Sequence, residues 1–168
     1  IMKKTKTQII KRSSTLFLRF VIILISMGVL ACMIWFPQTE GRAINLDLVS
    51  IYTDPFIIYI YIASIPFFVA LYQAVKLLGF IGQNRVFSLN SVKSLRTIKY
   101  CAMTVAALIV GAEVYLIMVE RGNDDIAGGI ALGLLLIFVS AVVATTAAVF
   151  ERLLQSAVDM KSENDLTV

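Results

Sequence analysis

One carboxylate stands inside a long apolar run: Glu113, about seven residues short of the end of the stretch Ile98–Val119. An ionised carboxylate is costly in hydrocarbon, so a glutamate there is protonated, hydrogen-bonded within a helix bundle, or open to a water-filled cavity. Two chemistries follow. Glu113 binds a cationic or amphipathic ligand in a pocket facing the outer leaflet, or it exchanges a proton during transport. The plain alternative is a satisfied structural carboxyl near the interface. Helix rise puts Cys32, Tyr59, Tyr61 and Ser64 at a similar depth, together with Gly129 to Gly133. The expected ligand pocket is therefore Glu113 with Tyr59, Tyr61, Ser64 and Cys32, whose polar groups can donate to the carboxylate.

Little other chemistry is available. The chain has no histidine, which removes the commonest general base, nucleophile activator and metal ligand together. Cys32 and Cys101 do not form a Cys-x-x-Cys pair, so spacing indicates neither a zinc site nor a redox-active disulfide. No catalytic residue, metal site or cofactor is expected, and the chain reads as a non-enzyme.

The elements that must hold Glu113 follow from composition. Of 168 residues, 59 % are hydrophobic and 15 % charged, against about half and a quarter in soluble domains. The apolar residues fall in four runs, about 16–36, 56–80, 98–119 and 126–150. Each is long enough for a hydrocarbon core of about 30 Å, crossed by roughly 20 helical residues. None alternates like a barrel strand, and a helix satisfies its own backbone. The predicted fold is an all-α membrane protein, a bundle of four transmembrane helices. Residues 1–15 form a basic N-terminal segment, 16–150 the transmembrane domain, and 151–168 a helical extension with an acidic tail. Val29-Leu30-Ala31-Cys32 is similar to a lipoprotein cleavage site, but the apolar run continues to Phe36, so the first run is read as a span.

Thirteen of the fifteen basic residues flank one side of these spans, and only Arg42 and Arg121 the other. By the positive-inside rule both termini and the middle loop are cytoplasmic. The basic charge is explained by topology and anionic lipid, and direct nucleic-acid binding is not expected. Arg19 can snorkel to the headgroups.

Small residues predict the packing. Gly129, Gly133, Ser140, Ala144 and Ala148 mark a stripe on the fourth span, and Ala107 and Gly111 a patch on the third, so these spans should pack closely through the turn Arg121-Gly122-Asn123-Asp124. The same stripes allow a homodimer. Pro66 should kink the second span. Between spans two and three, Gly82 and Asn84 break the helix and Ser88 is an N-cap for a new one starting near Leu89. The basic residues Arg85, Lys93, Arg96 and Lys99, with Glu163, Asp165 and Leu166 of the tail, form a candidate surface for a cytoplasmic partner. Pairing of the acidic tail with the basic loop is the plain reading of those charges.

Two segments resemble the bacterial family catalogued as domain of unknown function 2975. Phe87-Ser88-Leu89-Asn90-Ser91-Val92-Lys93-Ser94-Leu95-Arg96-Thr97-Ile98 is similar to its central motif of Phe-Ser, a polar stretch, Val-Lys, then Leu-Arg and Ile before a span. Glu163-Asn164-Asp165-Leu166-Thr167-Val168 is similar to its acidic closing run. The family often has Phe, a basic or polar residue and Gly before the tail, and Phe150-Glu151-Arg152-Leu153-Leu154-Gln155 departs from that. The resemblance implies a small multi-pass membrane protein often encoded beside a short helix-turn-helix regulator. The leading expectation is thus a membrane-embedded sensor or anchor that regulates such a partner, its acidic tail competing with DNA phosphates for the regulator's Lys and Arg. The alternative is a small binding, efflux or immunity protein for hydrophobic cations, lipids or membrane-active peptides, acting through Glu113.

Overall fold

The computed structural model describes residues 2–39, 47–119 and 126–166. They form five helices: α1 (Met2–Thr39), α2 (Leu48–Tyr52), α3 (Pro55–Gly82), α4 (Leu89–Val119) and α5 (Ile126–Leu166). All but α2 are long and apolar enough to cross a membrane. The short α2 was not legible in the sequence. Its Tyr52 hydroxyl donates to the Ile34 carbonyl of α1 at 3.0 Å, which ties it to the end of the first span. The turn at 121–124 lies outside the described residues.

Local chemistry sets the helix ends. Asp54 accepts from Phe56 N–H at 2.7 Å, and Pro55 takes the first helical position of α3, where its missing N–H costs nothing. At the other end the break comes at Asn84, with φ at 55°, while Gly82 is still helical. Arg85 N–H bonds to the Phe80 carbonyl at 2.9 Å and Asn84 N–H to that of Ile81 at 3.2 Å. This is a Schellman closure with asparagine in the left-handed position. Ser88 then caps α4 by accepting from Ser91 N–H at 3.3 Å, so the expected N-cap and helix start hold. The helix that starts at Leu89 and the third span are one continuous helix. α3 runs through Pro66.

Packing follows chain order. α4 packs most extensively on α5, then on α3, and α3 packs on α1; no other pair of spanning helices makes more than isolated contacts among the described residues. The helices are a row, α1–α3–α4–α5, rather than a ring in which the first meets the last. Most large apolar side chains on α1 and α5 are consequently exposed, as suits surfaces solvated by lipid tails.

Candidate functional site

The α4–α5 seam carries two buried carboxylates. Glu113 of α4 is 9 % exposed, and its side chain lies over Gly133 of α5, where an added Cβ would coincide with the carboxyl Oε1. Gly133 is glycine because the carboxyl occupies its side-chain space. Leu116, about one turn along α4, lies against Gly129 at ordinary van der Waals distance, 3.9 Å from where a Cβ would be. Glu113 Oε2 is buried with no hydrogen-bond partner. A buried acceptor left unpaired is rare and costly, so this oxygen has capacity that the fold does not use.

The residues expected around Glu113 are not assembled there. Tyr59 Oη donates to the Leu108 carbonyl of α4 at 2.6 Å, Tyr61 Oη to the Met33 carbonyl of α1 at 2.8 Å, and Ser64 Oγ to the Tyr61 carbonyl of its own helix at 2.7 Å. Cys32 is exposed. The reason is rotational: α3 meets the opposite side of α4 from α5, so shared depth does not bring these groups to one point. For the same reason Gly111 and Ala107 do not belong to the α4–α5 seam. Gly111 receives the Tyr59 hydroxyl of α3, 2.7 Å from where a Cβ would be, and Ala107 is exposed. Two residues separate Gly111 from Glu113, roughly 200° around a helix, so both cannot face α5. On α5, Ser140 is half-buried and Ala144 buried, as the stripe predicts; the next buried member is Ala147, and Ala148 is only half-buried. Among the described residues no three His, Cys, Asp or Glu side chains cluster, so Glu113 would meet a ligand with a single carboxyl.

The second carboxylate, Glu151, ends the α5 stripe at the basic end of the row. It is 7 % exposed and binds two cations of α4, Arg96 Nε at 2.7 Å and Lys99 Nζ at 2.6 Å. The Lys99 hydrogen bond, then the Arg96 hydrogen bond, hold its carboxyl below the usual glutamate range against the opposing effect of burial. Arg96 and Lys99, expected on a free surface, are therefore engaged within the protein. Sequence reading missed Glu151, although a lone acid just past the fourth span stands level with two cations three residues apart just before the third. It is also a residue of the segment where the chain departs from the family pattern.

Around this clamp the start of α4 is tightly built. Ser91 has no exposed surface and Ser94 almost none. Ser94 Oγ donates to Gln73 Oε1 of α3 at 3.2 Å, and Ser91 Oγ to the Arg85 carbonyl at 3.3 Å. Of the expected partner surface, Arg85, Lys93, Arg96 and Glu163 are exposed, while the side chains of Asp165 and Leu166 lie outside the described residues. Arg19, expected to reach lipid headgroups, packs on α3, its Nη2 3.0 Å from where a Cβ at Gly79 would be. A cation suits the C-terminal turn of a helix.

A family model described as a protein of unknown function, DUF2975, matches residues 17–168. The chain belongs to that family. Within it, the chain is similar to the uncharacterized membrane protein YoaS of Bacillus subtilis (strain 168), 44 % identical over 160 residues that cover 94 % of this chain and 99 % of the relative. No solved structure matches. The DUF2975 resemblance of residues 87–98 falls on the capped, serine-lined start of α4 that packs against Gln73 and Glu151.

Proposed function

We propose that this membrane protein is an embedded sensor or anchor that regulates a cytoplasmic partner, with α5 as the element that joins the spans to that partner. One observation carries this reading: α5 is a single helix of 41 residues, about 60 Å long and about twice the thickness of a hydrocarbon core. The part beyond the membrane is coupled to the spans by the Glu151 clamp, so a change in α4–α5 spacing moves the projecting end. The excess of basic residues at that end supports a cytoplasmic placement. The family resemblance suggests a small helix-turn-helix regulator as the partner. Affinity purification of the full chain from native membranes should retain a stoichiometric soluble protein, and a chain ending at Met160 should lose it. A full chain that retains nothing overturns the reading.

A second reading, binding or efflux of hydrophobic cations, lipids or membrane-active peptides, is favoured by the unpartnered Oε2 of Glu113. Its support is a polar atom in a place where natural proteins seldom leave one unused. Glu113→Gln should then abolish binding of a lipophilic cation such as tetraphenylphosphonium to the chain in nanodiscs; equal binding by both forms removes the carboxylate from the function.

A further inference from the structure

At the basic end, the turn after α3 and one face of projecting α5 enclose a groove of about 560 Å³. Its lining includes Arg85 and Phe87 from the turn and Ala157, Met160 and Lys161 from α5. Phe87 and Met160 are 59 % and 60 % exposed. Arg85 and Lys161 are exposed, and neither takes part in an ion pair among the described residues. We propose that this groove docks an acidic amphipathic segment of a water-soluble protein, its carboxylates on Arg85 and Lys161 and its apolar side chains on Phe87, Ala157 and Met160. The proposal deepens the partner reading above by naming the site and the chemistry of what it takes.

Depth decides between a protein and a lipid. The Arg96–Lys99–Glu151 clamp marks the inner end of the spans, because α4 from Cys101 to Val119 and α5 from Ile126 to Phe150 carry no charge except Glu113. At about 1.5 Å per residue, Lys161 stands about 15 Å beyond Glu151, and the start of α4 about 10 Å beyond Arg96. The headgroup layer adds only about 5–8 Å on each side of the hydrocarbon. The groove therefore opens in water, where exposed apolar side chains rimmed by polar ones mark an interaction surface.

Charge and rigidity select the occupant further. The two unpaired cations favour carboxylates and repel a basic segment. The turn is preformed by the Asn84 closure and by Ser91 Oγ on the Arg85 carbonyl, so docking does not have to order it. A second copy is a poor occupant. Two chains related by a twofold along the membrane normal set like patches against each other, which gathers Arg85 and Lys161 of both copies at one interface.

The test uses the full chain in nanodiscs of zwitterionic lipid and two fluorescent amphipathic helical peptides of equal hydrophobicity, one of Leu and Glu, the other of Leu and Lys. The Glu peptide should bind saturably and the Lys peptide should not. Arg85→Glu with Lys161→Glu should weaken the Glu peptide by about tenfold or more and admit the Lys peptide, a gain that also shows the variant is folded. Arg85→Gln and Lys161→Gln, at exposed positions, should each give an intermediate loss. The proposal is overturned by equal binding of both peptides, by Glu-peptide binding that ignores the substitutions, or by competitive displacement of the peptide when phosphatidylglycerol is added to the disc. Stronger binding of a peptide spanning the chain's own residues 159–168 would reassign the groove to a second copy and likewise overturn it. A native partner that still co-purifies with the double variant removes the groove but keeps the anchor. Peptide binding with no native partner does the reverse.

Discussion

Glu113 and Glu151 lie on the same seam, one contributed by α4 and one by α5, and they are about equally buried. Glu151 has Arg96 and Lys99 on its two oxygens, whereas Glu113 has a glycine under it and an oxygen with no partner. Position along the membrane normal explains the contrast. At the end of the span, long basic side chains reach an inward acid while their other atoms stay near water. At the depth of Glu113 a cation would itself be expensive, and α5 offers no charged residue between Ile126 and Phe150. One carboxylate is thus used to fix helix against helix, and the other is held with bonding capacity to spare.

The contrast predicts different responses to substitution. The largest effect belongs to Gly133→Ala, whose methyl would displace the Glu113 carboxyl; overpacking of this kind costs about 1–3 kcal/mol. Glu113→Ala in the same chain vacates the space and should recover much of the loss, and thermal unfolding in detergent, run as a double-mutant cycle, measures it. Additive effects would mean that the two residues do not share the space. Next is Glu151→Gln, which leaves Arg96 and Lys99 without their counter-charge and should lower the melting temperature by about 2–4 °C, a loss on the order of 1 kcal/mol for a chain of this size. Glu113→Gln, with no cation to abandon, should shift it less. Equal shifts would break the comparison.

The smallest effect is the pH dependence of the clamp. The Glu151 carboxyl is held below the ordinary glutamate value of 4.5 in the folded chain, so its stabilisation is complete above that pH and is lost as pH falls through the lower, folded value. Melting temperatures between pH 6 and pH 3 should drop more steeply for the wild type than for Glu151→Gln. Parallel curves would mean that Arg96 and Lys99 do not favour the ionised form.

Much of the architecture is legible in the sequence because lipid imposes a length and a polarity on every span. The stop at Asn84, the cap at Ser88 and the stripe Gly129, Gly133, Ser140 and Ala144 are likewise readable, since each depends on residue type at a fixed position. Rotation about the helix axes is not. A helix apolar on all sides has no amphipathic face to show which neighbour it meets, so Gly111 is assigned to α5 when it receives Tyr59 of α3. Tyr59 and Tyr61 are matched to Glu113 by depth, when backbone carbonyls of adjacent helices take their protons. Glu151 escapes notice because its partners are remote in sequence and its neighbours suggest only a departure from a family pattern.

The row of helices has a consequence for biogenesis. Each spanning helix docks on the one made before it, so the chain can assemble in the order in which it leaves the ribosome, with no early segment waiting for a distant one. The exception is the last insertion step. Only when α5 arrives does Glu113 gain its glycine neighbour and do Arg96 and Lys99 gain their acid. A chain that ends before Ile126 would leave the Glu113 carboxyl and the cations Arg96 and Lys99 without the α5 residues they meet in the folded protein.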